Sequence, residues 1–96
     1  MSAYLIVEVQ VRDPAIYSQY TARTPAIIAK YGGRFIVRGG PAETLEGEAR
    51  NRRIVIVEFP SMEAARAFYH STEYQEAKDI RTAASDGHFV LVPGVG

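Results

Sequence analysis

Hydrophobic residues divide the chain into four short apolar segments and three segments with helical spacing. The apolar segments are rich in β-branched residues, as strands are, and they cover residues 4–11, 34–38, 53–59 and 88–92. In the other segments apolar residues recur every three or four positions, over residues 14 to about 31, 62 to about 69 and 73 to about 84. This order predicts a ferredoxin-like α+β fold, β-α-β-β-α-β, whose helices cover one face of an antiparallel sheet.

Capping and breaking residues predict where these elements begin and end. The residues placed to begin helices are Asp13-Pro14, Ser61 and Ser71. Pro25 removes a backbone donor inside the first helix, so we expect a kink or a break near Thr24. The second strand is expected to end at the glycines that follow it, or to continue through residues 42–45 after a bulge.

Alternation along the strands predicts a sheet with two different faces. One face is wholly apolar in the first strand, where it carries Leu5, Val7, Val9 and Val11. The other face mixes isoleucines with charges: Ile6, Ile36, Ile54 and Ile56 with Glu8, Glu58, Arg34 and Arg38. A single chain of this plan has helices for only one face, so we expect a second copy to cover the other, giving a homodimer.

The charges on this second face have two interpretations. Because a lone buried charge is costly, they either form structural ion pairs or line a polar pocket for an anionic or carbonyl-bearing ligand. The candidate ligand-binding residues are Arg38, Glu58, Arg34, Glu8 and Tyr69. We expect Arg38 and Glu58 to be neighbours, with Arg38 as the anchor of the ligand. Tyr20 and His88 are the candidate catalytic residues, since each can exchange a hydrogen bond or a proton with a ligand.

Composition narrows the chemistry. The chain has 96 residues, expected to form one domain over residues 1–96, and its 11 basic and 11 acidic residues cancel. Without a basic excess or a bilayer-length apolar run, neither nucleic acid nor membrane is an expected partner. Cysteine is absent, the two histidines have no ligand spacing and no phosphate loop occurs, so we predict no metal and no cofactor. With no signal sequence, the expected location is cytoplasmic.

Short motifs spread over nearly the whole chain carry a family resemblance. They are Asp13-Pro14 with Tyr17 and Tyr20, residues 31–40 (YGGRFIVRGG), Leu45-Glu46-Gly47, residues 57–61 (VEFPS), residues 64–69 (AARAFY), and Ser71 with Tyr74. Together they resemble the domain-of-unknown-function family numbered 1330, within the dimeric α+β-barrel superfamily. The resemblance implies a ferredoxin-like homodimer whose two sheets face each other, and it implies no established reaction.

Two functions of different classes stay open from the sequence. One is binding of a small organic ligand, with a cofactor-independent oxygenase or isomerase as its catalytic form, because the candidate side chains supply acid–base and electrostatic chemistry. The alternative is a noncatalytic dimerisation or regulatory module, in which the same charges only fix how two chains pair. The sequence leaves open whether the chain is an enzyme. A ligand-sized cavity beside the charged residues is the discriminating feature.

Overall fold

The computed structural model describes residues 1–95 and contains four strands and three helices. In chain order they are β1 (Ala3–Val11), α1 (Pro14–Lys30), β2 (Arg34–Arg38), β3 (Arg53–Phe59), α2 (Met62–His70), α3 (Thr72–Ala84) and β4 (Ser85–Pro93). The strands form one antiparallel sheet in the order β2-β3-β1-β4. The ferredoxin-like α+β fold predicted from the sequence is therefore confirmed.

The core lies between one face of the sheet and the helices. Burial alternates along β1, where Leu5, Val7 and Val9 are buried and the intervening Ile6 and Glu8 are only half-buried. The Phe68 ring of α2 packs against Phe59 of β3 and Tyr74 of α3, with centroids 5.2 and 4.6 Å apart. Each fully buried side chain of this size contributes about 1.5–3 kcal/mol. This aromatic layer therefore holds α2 and α3 against the sheet.

Each helix begins at a side-chain cap. The cap oxygens accept hydrogen bonds from amides of the first turn: Asp13 from Ile16 (3.2 Å), Ser61 from Ala64 (3.0 Å) and Ser71 from Tyr74 (3.1 Å). The three predicted caps are confirmed. Ser71 also separates α2 from α3, because its extended backbone ends one helix while its side chain begins the next.

The first helix is continuous through Pro25, so the break allowed for near Thr24 does not occur. Thr24 and Ile28, on either side of the proline, are only 5% and 4% exposed. Their packing against the sheet outweighs the single amide hydrogen bond that proline cannot form.

β2 ends at the glycines, the first of the two predicted alternatives, whereas β4 begins earlier than predicted. Residues 42–45 do not continue β2 and lie instead in the irregular loop between β2 and β3. β4 begins at Ser85, three residues earlier than predicted, because β1 is long enough to pair Val11 with Ser85. Pairing with a long partner strand thus extends β4 over residues with little strand preference of their own.

A β-bulge in β2 reverses the predicted direction of Arg38. The pairing joins Arg34 to Glu58 and Phe35 to Val57, then skips Ile36 and joins Val37 to Ile56 and Arg38 to Val55. Directly paired residues point to the same face of a sheet, so Arg38 shares the helix-covered face with Val55. The prediction that Arg38 lies on the opposite face with Arg34 is wrong, because unbroken alternation does not anticipate an inserted residue.

Gly33 joins α1 to β2 in a space too small for a side chain. A Cβ there would lie 2.6 Å from the Phe59 ring and 2.8 Å from the Ile28 side chain. We expect Gly33→Ala to lower the free energy of unfolding by about 1–3 kcal/mol through overpacking. Gly40→Ala is the control, since nothing lies within 4 Å of its Cβ position. Chemical unfolding measures both variants, and equal midpoints would contradict the crowding.

Candidate functional site

A cavity of about 530 Å³ lies between α1 and the helix-covered face of the sheet, and we call it the helix-side cavity. Much of the cavity wall is apolar. Its apolar residues include Leu5, Val7, Phe35, Val57 and Phe68. Polar groups come mainly from α1, which contributes Ser18, Thr21 and Thr24. The volume and the mostly apolar lining are typical of sites that bind small organic molecules.

Two arginines, Arg38 of β2 and Arg53 of β3, line the solvent-facing side of the helix-side cavity. The guanidinium carbon of Arg38 lies 4.2 Å from the Phe35 ring centroid, and that of Arg53 lies 6.0 Å from the Tyr17 ring centroid. Within residues 1–95 neither guanidinium forms an ion pair, and the described cavity lining holds no Asp, Glu or His. The cavity therefore carries a net positive charge.

Gly39 makes room for Arg53 at the end of β2. Its φ of +78° is a conformation that side chains rarely adopt, and a Cβ on it would collide with the Arg53 side chain. The Gly39 amide donates a hydrogen bond of 2.8 Å to the carbonyl oxygen of Ile54, which fixes this turn beside β3. A glycine in this position thus allows both arginines to stand at the same end of the cavity.

Buried tyrosines form the inner polar part of the helix-side cavity. Tyr20 of α1 and Tyr74 of α3 both line it, and their hydroxyl oxygens are 2.9 Å apart. Burial raises the pKa of Tyr20 far above its ordinary value, and it also raises the pKa of Tyr74 and of Tyr17. These phenols consequently stay protonated and serve as hydrogen-bond partners rather than as bases.

Glu58 lies on the other side of the sheet, which no helix covers and which we call the outer face. It accepts a hydrogen bond from Arg34 Nε at 2.8 Å and one from the Tyr4 hydroxyl at 3.1 Å. The hydrogen bond from Arg34, and to a lesser degree the one from Tyr4, holds the pKa of Glu58 below its ordinary value. The Glu58 carboxylate in turn raises the pKa of Tyr4. The predicted contact between Arg38 and Glu58 is wrong within the chain, because Arg34 takes that position.

The other candidates lie outside the helix-side cavity. Glu8, on the outer face, contacts Arg50 with Nη1 and Oε2 3.3 Å apart, and it is paired in the sheet register with the exposed His88. Tyr69 lies on α2, where its ring packs 5.3 Å from the Tyr74 ring and does not line the cavity. The structure therefore does not bring His88, Glu8 or Tyr69 to the cavity.

Of the candidates named from the sequence, Arg38 and Tyr20 are brought together at the helix-side cavity. Sequence reasoning missed Arg53, Tyr17 and Thr24, although signals for them were present. Arg53 is in phase with the inward positions of β3, and Tyr17 and Thr24 share the helical spacing of Tyr20. Polar side chains at inward positions of β3 and α1 thus line the cavity together with the apolar ones.

Metal ions and membranes have no evident site in the part of the chain that the structure describes. Within residues 1–95 no group of three or more His, Cys, Asp or Glu side chains is arranged to hold a metal ion. In the same range no helix combines the length and apolar character needed to cross a bilayer. The absence of a cofactor, the absence of nucleic-acid binding and a cytoplasmic location stay predictions.

The sheet order, the one-sided helical layer and the cavity between them define an α+β protein with the ferredoxin-like fold. By its sequence the chain belongs to the family described as a domain of unknown function (DUF1330), whose model matches residues 2–95. The resemblance found in the sequence is therefore confirmed. No curated protein is significantly similar to the chain.

Solved structures with the same fold are distant in sequence. A protein of unknown function from Rhodopseudomonas palustris is 20% identical with a TM-score of 0.82, covering 99% of this chain and 83% of its own. A dimeric ferredoxin-like protein of unknown function from Jannaschia sp. CCS1 is 15% identical with a TM-score of 0.74, covering 98% and 100%. SnoaB, a cofactor-independent oxygenase from Streptomyces nogalater, is 17% identical with a TM-score of 0.64, covering 99% and 94%. At these identities the similarity establishes the fold alone.

The Glu58 cluster makes stability depend on pH in a defined direction. Because the folded-state pKa of Glu58 lies below its ordinary value of 4.5, the ionised carboxylate stabilises the fold above that pH. This contribution is lost as the pH falls through the lower, folded-state pKa. We expect the stability advantage of wild type over Glu58→Gln to be constant above about pH 5.5 and to shrink below about pH 4.5.

Chemical unfolding across this pH range measures the effect, and Glu43→Gln in the exposed loop is the control. Glu43 has no hydrogen bond or ion pair within residues 1–95 and should track wild type throughout. A stability advantage of wild type over Glu58→Gln that does not shrink below about pH 4.5 would contradict the assigned contacts.

Proposed function

We propose that this chain binds a small organic anion in the helix-side cavity, with Arg38 and Arg53 holding the anionic group. The observation that carries the proposal is a pair of guanidinium groups without acidic partners, beside a ligand-sized cavity whose described lining has no carboxylate. Guanidinium groups bind carboxylates through paired, charge-assisted hydrogen bonds. A carboxylate ligand would therefore supply the partner that the chain does not.

The apolar wall of the cavity suits the carbon skeleton of such a ligand. Phe35, Val57 and Phe68 present hydrocarbon surface, and burying apolar area contributes about 25 cal/mol per Å². The arginines lie at the solvent-facing side, so the anionic end would stay near water while the carbon skeleton enters the cavity. An aromatic or aliphatic acid fits this arrangement better than a sugar or a phosphate ion.

A cofactor-independent oxygenase or isomerase is the second candidate. The positive charge of the cavity favours it, because guanidinium groups and protonated phenols stabilise an enolate or phenolate of the substrate. Against it, the described lining has no carboxylate or histidine to remove a proton, and burial raises the pKa of Tyr20. Binding is therefore the function with the broader support, and a noncatalytic module remains the alternative if no ligand binds.

We also propose that a second copy of the chain covers the outer face. One apolar row crosses all four strands of that face, and the register places Val37, Ile56, Ile6 and Val90 in it. Val37 and Val90 are 39% and 38% exposed in the single chain. Burying a row of this kind against its own copy is the usual way such a face is covered. The structural neighbour from Jannaschia sp. CCS1, described as dimeric, gives further support.

Anion binding is tested by thermal shift with benzoate and its neutral analogue benzamide. At about 100 times its Kd, benzoate should stabilise the fold by about 2.7 kcal/mol and raise Tm by roughly 10–20 °C, while benzamide should not. We expect Arg38→Ala and Arg53→Ala each to weaken benzoate binding about tenfold, through loss of a charge-assisted hydrogen bond. Arg34→Ala, which removes an arginine from the outer face, is the matched control and should bind as wild type. Equal binding by Arg38→Ala and Arg34→Ala would contradict the assignment of the cavity.

The homodimer is tested by light scattering at micromolar concentration, where the mass should be twice the chain mass of 10.6 kDa. Ile56→Asp places an unpaired carboxylate in the apolar row and should give monomers or unfolded chains. Leu45→Asp is the control, because Leu45 is 86% exposed in the loop and lies away from the sheet. A single-chain mass for wild type with a native circular dichroism spectrum would rule out the proposed dimer.

A further inference from the structure

Arg81 of α3 is a buried guanidinium that no carboxylate neutralises. Its residue is 5% exposed, its Nε has no hydrogen-bond partner, and it forms no ion pair within residues 1–95. The guanidinium carbon lies 4.2 Å from the ring centroid of Phe89, whose side chain also lines the helix-side cavity. A buried charge without a counter-ion costs free energy, so its position calls for a physical reason.

The position of Arg81 is explained by its place beside the buried tyrosine pair. Arg81 and Tyr74 are both buried and lie seven residues apart on α3, so they share one side of the helix, and helical side chains lean toward the N-terminal turn. Burial raises the pKa of Tyr74, and the charge and hydrogen bonding of Arg81 lower it, whereas Arg81 lowers the pKa of Tyr20 through its charge alone. Arg81 therefore lies on the Tyr74 side of the tyrosine pair.

A guanidinium group orients the hydroxyl groups beside it. It donates hydrogen bonds and accepts none, so a hydroxyl next to it turns its oxygen toward the cation and its proton away. For Tyr74 the partner on the far side is Tyr20, whose oxygen is 2.9 Å away. If Tyr74 donates to Tyr20, the proton of Tyr20 must point elsewhere, and Tyr20 lines the helix-side cavity.

We propose that Arg81, Tyr74 and Tyr20 form a polarised chain of hydrogen-bond donors that presents the Tyr20 hydroxyl proton to an oxygen acceptor of the bound organic acid. This inference rests on the proposed anion-binding function and narrows its ligand class. The ligand carries an anionic group for Arg38 and Arg53 and a second oxygen, a ketone carbonyl, for Tyr20. In this scheme Arg81 is a positioning residue, because it acts on the ligand through the two tyrosines.

The ligand class is tested with two acids that differ by one carbonyl group, 4-oxo-4-phenylbutanoate and 4-phenylbutanoate. Wild type should bind the oxo acid about fivefold more tightly, the effect of one additional hydrogen bond. Tyr20→Phe should bind both acids equally. Adding Arg38→Ala to this variant should still weaken the binding of both acids. Tyr69→Phe is the control, since Tyr69 packs against Tyr74 without lining the cavity, and it should keep the fivefold preference.

The role of Arg81 needs a readout that a general loss of packing does not produce. The infrared carbonyl band of the bound, carbon-13-labelled oxo acid reports the hydrogen bond from Tyr20. We expect the band to lie at lower wavenumber in wild type than in Tyr20→Phe. Arg81→Met should move it toward the Tyr20→Phe position and reduce the preference for the oxo acid to about twofold. Tyr74→Phe interrupts the chain while keeping the ring, so it serves as the second variant if Arg81→Met does not fold.

The outcomes separate this inference from the function on which it rests. If neither acid stabilises wild type, the anion-binding function fails. If both acids bind equally and depend on Arg38, that function stands and the donor chain is overturned. A carbonyl band and an oxo-acid preference that are unchanged in Tyr74→Phe would also overturn the donor chain. Loss of both signals in Tyr20→Phe and their reduction in Tyr74→Phe supports it.

Discussion

The chain has helices for only one face of its four-stranded sheet, and the other features of the structure follow from that constraint. On the helix-covered face the strands present large apolar side chains, and Phe59 and Phe68 fill the layer beneath α2 and α3. On the outer face the same strands keep an apolar row with charged residues beside it. A one-sided sheet of this kind needs polar partners or another chain on its second face, because exposed apolar rows are unfavourable in water.

A single inserted residue in β2 then sorts the charges between the two faces. The bulge at Ile36 leaves Arg34 beside Glu58 on the outer face and sends Arg38 to the helix-side cavity. As a result Glu8 and Glu58 have basic partners on the outer face, whereas Arg38 and Arg53 of the cavity form no ion pair within residues 1–95. Because charge is separated in this way, the described cavity lining is positively charged even though the chain as a whole is neutral.

The fold was predictable from the sequence to a greater extent than the site. Element order, the caps at Asp13 and Ser71 and the alternation of β1 depend on local patterns, and these agree with the structure. The face of the sheet to which Arg38 points depends on the register of β2 against β3. Register is a property of two paired strands, so the sequence of one strand alone does not reveal it. For the same reason the contact between Tyr20 and Tyr74, 54 residues apart, was not foreseen. The sequence marks Tyr20 as a candidate catalytic residue and Tyr74 only as an inward-facing helix position, and the packing of α1 on α3 reveals that their hydroxyl groups meet.

Strand β3 links the two faces because its residues alternate between them. Arg53, Val55 and Val57 line the helix-side cavity, while the intervening Ile56 lies in the apolar row of the outer face. A second chain seated on that row would restrict the backbone of β3 and, through the register, the bulged β2 that carries Arg38. Restricting these strands before a ligand arrives lowers the entropy that binding must offset. Ligand binding and dimer formation would then favour each other to the same degree, since coupling between two binding equilibria is reciprocal. On this argument the dimer would complete the cavity by stiffening its floor, without contributing a side chain to it.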